Sequence, residues 1–269
     1  MAFERFIAFR YLITKQRFGF MTVISWISII GVTIGVAAIV VILSVFNGFS
    51  GLVTTILVNF DPHIRIERIQ PASYEEFSNA EEYVKNQKDV ISVGPFVQGK
   101  AMIIHRSAVR VINVRGIETK SAKPFAGISK NIVLGEFDFE GSNTKGIVLG
   151  FTLADRLGAV IGDTLSIVSP AGFEFAFLQL GQPIIRRFKV IGIYESNNKD
   201  YDLFYSYVNL SMAQELFHMN KMISGLEVRL SNFEFAPMYK NKIQAQLGNG
   251  FRIFSWYDLH RDLYTVMKI

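Results

Sequence analysis

Apolar and polar positions are spread unevenly along the chain. Residues 18–60 contain no Asp, Glu, Lys or Arg, and positions 23–46 are almost wholly aliphatic or small. About 20 apolar residues span a hydrocarbon core, so this run predicts one membrane-spanning helix with length to spare. Helical throughout, it would be about 60 Å long, roughly twice the core thickness. Asn47, Gly48, Ser50 and Gly51 mark the expected exit, with 52–60 continuing as a stalk or joining the next domain. The run is longer than the roughly 7 to 15 apolar residues of a secretory leader and ends in no small-residue cleavage site. Arg5, Arg10, Lys15 and Arg17 precede it against Glu4 alone. That bias predicts a cytoplasmic N-terminus and places everything after Asp61 outside. Within 1–17, Arg5 and Arg10 interrupt a dense apolar stretch, the pattern of an interfacial elbow helix or of a plain extension of the span. Gly31 and Gly35 form a small-xxx-small pair that permits close helix contact.

After Asp61-Pro62 the pattern changes to that of a soluble domain. Ile64 and Ile66 alternate with His63, Arg65 and Glu67, which predicts a half-buried strand. A helix follows, with Ser73 as cap and Glu76 as its capping-box partner. Strands are expected at 90–96, 101–105 and 109–116, the last two joined by a turn at Arg106-Ser107. A second set of the same kind is expected near the far end: strand 225–230, helix 235–247 and strand 251–254. The two sets can pair into one sheet carrying helices on a single face. Between them lies a segment richer in turns, with short strands at 132–134, 146–149 and 164–168 and a helix at 152–157 ending at Gly158. The fold class is therefore α+β, in six stretches: an elbow at 1–17, span and stalk at 18–60, a porter-like first half at 61–116, an inserted β-rich part at 117–187, the second porter-like half at 188–255, and the foot of another helix at 256–269. Trp256 and Tyr264 there suit a membrane interface.

Composition adds limits. Only 19% of residues are charged and 50% are apolar, against about 25% charged in an ordinary soluble domain. With 24 Phe, 10 Tyr and no Cys, disorder, disulfide frameworks, thiolate metal sites and cysteine nucleophiles are excluded. The net charge of +5 attracts anionic surfaces in general and gives no reason to expect nucleic acid. His63, His105, His218 and His260 occur singly, without metal-ligand spacing, and read as surface or strand-face residues. There is no GxxxxGK[ST], so any ATP is expected on another subunit. Ser166 and Ser169 lack a GxSxG elbow. Glu75/Glu76 and Glu81/Glu82 sit on what reads as a solvated helix face. No residues carry an enzyme reading, and neither a cofactor nor a metal is expected.

One stretch stands apart. Residues 169–185, SPAGFEFAFLQLGQPII, join two strands and are bounded by turn signals at both ends. Pro170, Ala171 and Gly172 open it, and Phe173, Phe175 and Phe177 follow. A long apolar loop of this kind is either a hairpin arm exposed for binding or part of the domain's own core. Arg186 and Arg187 at its base offer cationic contacts to a partner.

FIAFRYL at 6–12, ISIIGVTIGVAAIVVILSVFNGF at 27–49, IVLGFTLADRLGAVIGDTLSIVSP at 147–170, RFKVIGIY at 187–194 and AQELF at 213–217 together resemble the lipoprotein-releasing permease family (LolC/LolE) within the FtsX/MacB-like group of ABC transporter permeases. The resemblance covers essentially the whole chain. It implies a permease that takes lipoproteins from the outer leaflet of the bacterial inner membrane and passes them to a periplasmic chaperone. It also implies a second permease subunit or a homodimer partner, and a cytoplasmic ATPase dimer that binds the ATP. By position, the family's chaperone-holding hook corresponds to 169–185 and its basic flank best to Arg186, although this hook differs in sequence and is longer. By the same resemblance Val45, Phe46, Asn47, Gly48 and Phe49 line the way in for the acyl chains. The family has four spans, so the resemblance implies that this chain, ending where a second span should begin, is a fragment or a truncated product. A MacB-like efflux permease and an FtsX-like regulator of a periplasmic cell-wall hydrolase are alternatives, and the hook-like loop favours lipoprotein release.

Overall fold

The computed structural model describes residues 3–4, 6–7, 10, 19–118, 126–139, 145–169 and 185–261. The chain divides into two units, Met1–Val53 and Thr54–Ile269. Helix α1, Phe20–Phe60, contains 41 residues. It continues through Asn47, Gly48, Ser50 and Gly51, because isolated Asn and Gly cost a helix about 1 kcal/mol or less each and the residues around them keep the hydrogen-bond ladder. From Val23 to Phe49 the helix is long and apolar enough to cross a membrane, and none of these side chains is buried. The hydroxyl of Thr33 donates to the Ile29 carbonyl at 2.7 Å, which satisfies it without water. A Cβ added at Gly31 or Gly35 would meet nothing within 4 Å.

In the second unit the elements run β1 Ile64–Ser73, α2 Tyr74–Lys85, β2 Val90–His105, β3 Ala108–Ile117, α3 Ala126–Lys130, β4 Ile132–Gly135, β5 Gly146–Gly150, α4 Phe151–Leu157, β6 Thr164–Val168, β7 Ile185–Tyr194, α5 Lys199–Phe204, β8 Tyr205–Asn209, α6 Leu210–Leu216, β9 Met222–Leu230, α7 Ala236–Leu247, β10 Phe251–Ser255 and α8 Trp256–Leu259. The units β1–α2–β2 and β9–α7–β10 interleave as an antiparallel sheet in the order β10–β1–β9–β2. The cross-strand row Ile253, Ile66 and Leu226 is buried and shares a core with Phe77 and Val84 of α2 and Tyr239 and Ile243 of α7. Helix α2 starts as its sequence predicts: the Ser73 N–H donates to Glu76 Oε1 at 3.2 Å.

Strand β2 is one strand of 16 residues rather than the two expected. Its first half pairs with β9 and residues 102–104 of its second half with β6, while β3 pairs with its other side from Phe96 to His105. Beyond that switch the pairings β2–β3–β8–β5–β7–β6–β2 close into a ring. The ring draws on chain before residue 117 and after residue 187. Ile103, Ile112, Ile147, Ile167, Phe188 and Val190 are buried within its part of the core. Helix α6 packs against two glycines of the ring: a Cβ on Gly116 would fall 2.2 Å from Ala213 Cβ, and one on Gly99 2.5 Å from the Phe217 ring.

Several local readings change. Trp256 is 2% exposed, so it belongs to the domain core and not to a membrane interface. Its indole N–H donates to the Phe233 carbonyl at 3.2 Å, and its ring stands edge-on to Phe233. His63, just before β1, and His105, the last residue of β2, are buried, which excludes the surface reading and leaves the strand-face one for His105. Glu81 is buried on the helix face expected to be solvated, where it accepts from the Tyr74 hydroxyl at 2.5 Å and pairs with Lys85 at 2.5 Å.

Candidate functional site

The apolar loop fixes where to begin, since its flanks are ordered by β6 and β7. These strands pair antiparallel with Val168 opposite Ile185, Ile167 opposite Arg186 and Ser166 opposite Arg187. Pro170, Ala171, Gly172, Phe173, Phe175 and Phe177 lie outside the described residues. Arg186 and Arg187 point to opposite faces of β7, because side chains alternate along a strand. Arg186 shares its face with the buried Phe188 and Val190, and its guanidinium Nη2 lies 3.0 Å from Glu215 Oε1 on α6. Lys145 joins the same carboxylate at 3.4 Å. Arg186 is therefore committed to a half-exposed ion pair within the domain. Arg187 shares its face with the exposed Ile185 and Lys189 and is itself exposed.

The motif at 147–170 has a structural explanation. Gly158 ends α4 in the left-handed region at φ 60°, and Gly162 turns the chain at φ 94°. Both conformations disfavour a side chain. Asp163 Oδ2 accepts from the Val160 N–H at 3.0 Å and lies 3.5 Å from His105 Nε2. The Nδ1 of His105 lies 2.9 Å from the Leu157 carbonyl. The glycines, the aspartate and His105 thus fasten the β2–β3 hairpin to the turn entering β6.

On α1, Val45 and Phe49 stand four residues apart and Phe46 and Phe49 three, so the three form one stripe. They are 67%, 40% and 58% exposed, and Asn47 and Gly48 are exposed beside them. A Cβ on Gly48 would meet nothing within 4 Å.

A second constellation was missed from the sequence. Asp61, the first residue after α1, is 5% exposed. Its carboxylate accepts from the Tyr201 hydroxyl on α5, lies 2.5 Å from His260 Nε2 just beyond α8, and stands 3.7 Å from Arg115 Nη1 on β3. Its carbonyl accepts from Arg229 Nη2 on β9 at 3.2 Å. Arg115 also pairs with Glu227, which pairs with Arg65 at 3.5 Å, which pairs with Glu67 at 3.7 Å. The guanidinium carbons of Arg65 and Arg115 lie 4.9 and 5.6 Å from the centre of the Phe96 ring. Charges of alternating sign thus run from Asp61 through Arg115, Glu227 and Arg65 to the half-exposed Glu67, on β3, β9 and β1. Burial alone would raise the Asp61 pKa, but the His260 hydrogen bond, the Arg115 charge and the Tyr201 hydrogen bond outweigh it and hold the carboxyl below the ordinary carboxylate value. Tyr201 is pushed up, first by burial and then by the Asp61 charge. The sequence signal was a charge at an inward position of an apolar strand, Arg115 in VINVRGI and Glu227 in SGLEVRL. Its partners lie in distant parts of the chain, so no spacing motif revealed them. Among the described residues no cluster of three or more His, Asp or Glu is arranged to hold a metal ion. The arrangement fastens chain segments together.

A helix of spanning length leading into an α+β domain of open sheet and closed ring defines a class of membrane-anchored domain proteins. The chain belongs to the MacB-like periplasmic core domain family, which it matches over residues 25–246. It is 29% identical over 242 residues to the lipoprotein-releasing system transmembrane protein LolC of Neisseria meningitidis serogroup B, covering 87% of this chain and 56% of that one. It is 29% identical over 238 residues to the lipoprotein-releasing system transmembrane protein LolE of Haemophilus influenzae, covering 84% and 55%. The chain thus spans little more than half the length of these relatives. Among solved structures, the periplasmic region of MacB from Actinobacillus actinomycetemcomitans matches with a TM-score of 0.47 and 14% identity, over 75% of this chain and 92% of that one.

Proposed function

We propose that this chain supplies the first span and the periplasmic domain of a permease subunit in an ABC transporter that takes lipoproteins from the outer leaflet of the inner membrane and passes them to a periplasmic chaperone. The single observation that carries the reading is the 29% identity to a lipoprotein-releasing protein across 87% of this chain. In this reading the N-terminus is cytoplasmic, in line with the four cations before the span. ATP is bound by a separate ATPase dimer, and the other permease is a second subunit or another copy. The chain itself is not an enzyme: it couples motion between membrane and domain. Val45, Phe46 and Phe49 offer an apolar stripe suited to an acyl chain, and Asn47 and Gly48 flank it. The chaperone is held by the loop with Pro170, Ala171, Gly172, Phe173, Phe175 and Phe177, with Arg187 as its cationic contact and Arg186 as the support of its base.

The test is photocrosslinking in cells carrying the rest of the transporter. A photoreactive residue replacing Phe49 is expected to capture a lipoprotein, and one replacing Phe173 or Phe177 a soluble lipoprotein chaperone. Capture of a cell-wall hydrolase from Phe173 in place of a chaperone would reject the reading.

A further inference from the structure

The hairpin of β2 and β3 leaves one sheet edge open. Residues 108–112 pair with β2 on one side, and β8 takes the other side of β3 only from Asn113 onward. Among the described residues no strand pairs with the outer edge of 108–112. The two-residue turn at Arg106-Ser107 makes His105 and Ala108 the closing hydrogen-bonded pair, so the backbone groups of Val109 and Val111 point away from β2. The Val109 carbonyl accepts from the guanidinium of its neighbour Arg110 at 2.8 Å, a contact open to a carbonyl that no strand has claimed. The side chains of Val109 and Val111 are 43% and 60% exposed.

An open edge with exposed apolar side chains attracts other strands, and the local charge selects among them. The adjoining strand segments 100–112, 164–168 and 185–190 carry Lys100, Arg106, Arg110, Arg186, Arg187 and Lys189 and no Asp or Glu. Of these, Arg186 is the one paired with a carboxylate among the described residues, Glu215. A second copy is a poor occupant, because antiparallel pairing centred on residue 110 sets Arg110 against Arg110, and like charges directly opposite one another destabilise a strand pair. A segment with acidic residues between apolar ones meets both features of the edge.

We propose that residues 108–112 of β3 receive an extended acidic segment of another polypeptide as an added strand. Backbone bonds from Val109 and Val111 hold it, their side chains meet its apolar positions, and the cations meet its carboxylates. The start of β8 at Asn113 limits the added pairing to about five residues, at 3.3–3.4 Å each. This inference goes beyond the transport reading and does not depend on it.

The test uses the full chain in detergent at neutral pH, with a blocked nine-residue peptide of alternating Val and Glu and a control of alternating Val and Lys. Hydrogen exchange is read at single amides. The Val/Glu peptide is expected to slow exchange at Val109 and Val111 by about tenfold, the equivalent of one net hydrogen bond, and to leave Ile112, already bonded to β2, unchanged. Arg110→Glu should reverse the preference toward the Val/Lys peptide, and Val111→Pro should abolish binding. Should Val111→Pro fail to fold, Arg110→Glu, an exposed change, decides alone. Absence of slowing at millimolar peptide, equal slowing by both peptides, or slowing that grows with protein concentration without peptide would each overturn the proposal, the last in favour of a second copy.

Discussion

The spanning helix and the strand ring use the same residue types in opposite surroundings. On α1, Ile39 and Val40 are 59% and 55% exposed; on β5, Ile147 and Val148 are fully buried. From Val23 to Phe49 the helix is apolar all round and exposed, which suits a hydrocarbon surround. The sheet domain makes its own apolar phase. It can therefore admit charge where partners are built in, as Asp61, Arg115 and Glu227 show, whereas residues 18–60 admit none. Burial within the fold is thus a poor guide to what a residue tolerates unless the surrounding medium is specified.

The sharpest way to break this comparison is to place one unpaired charge in each region. Ile147→Asp puts a carboxylate inside the ring without a partner and is expected to cost more than about 4 kcal/mol, read as loss of the cooperative urea transition of the domain. Ile39→Asp is expected to leave that transition in place. Its cost, about 2.5–3.5 kcal/mol, appears instead as a smaller membrane-inserted fraction. If Ile39→Asp moved the urea midpoint of the domain as far as Ile147→Asp, the two surroundings would not be distinct.

Next comes the buried charge chain. Arg115→Met leaves Asp61 and Glu227 buried without their shared cation and should cost about 3–5 kcal/mol. The double change Arg115→Met and Glu227→Leu should cost less than the sum of the two singles, because neither leaves the other stranded. Strict additivity in a urea-unfolding cycle would show that the pair is not coupled. Acid acts on the same place. The Asp61 pKa is depressed in the folded state, so its contribution is present above the unfolded carboxyl value of about 3.9 and is lost as pH falls through the lower folded value. Asp61→Asn should therefore flatten the acid limb of the stability curve, followed by urea midpoints from pH 6 downward.

Much of this was legible in the chain. The span, the α+β class and the capped helix after Ser73 rest on local patterns: an unbroken apolar run, alternation, and a cap with Glu three residues on. The ring was not legible, because closing it depends on β2 changing partners midway from β9 to β6, and nothing at residues 90–105 says where a strand exchanges one neighbour for another. The charge chain escaped for the same reason: Asp61, Arg115, Glu227 and His260 meet only after the sheet has formed. Of the candidate site, residues 45–49 came from the family resemblance; that Val45, Phe46 and Phe49 share one exposed stripe is a matter of helix spacing. Arg186 was chosen by position beside the loop, yet its direction is set by strand parity and by a carboxylate on α6 that strand spacing alone does not bring near.

Gly116 offers a smaller break within the domain. Gly116→Val would drive a side chain into Ala213 and the Leu210 backbone, an overpacking cost of about 1–3 kcal/mol. Gly48→Val on the helix meets no neighbour and should leave the urea transition of the domain where it is.

The finest discrimination lies between two adjacent arginines. Arg186→Glu sets a carboxylate beside Glu215, losing an ion pair with 33% and 39% exposed partners and adding repulsion. Pairs this open to solvent contribute up to about 1 kcal/mol, so the domain should weaken by roughly that amount and more at low salt than at high. Arg187→Glu, on the opposite face of the same strand, should change stability by less than about 0.5 kcal/mol. If Arg187→Glu nevertheless reduced crosslinking of the chaperone to Phe173, the defect would be one of contact and not of folding. If Arg186→Glu alone reduced it, and in proportion to its loss of stability, the cation at the loop base would be structural and the chaperone contact would rest on the apolar loop.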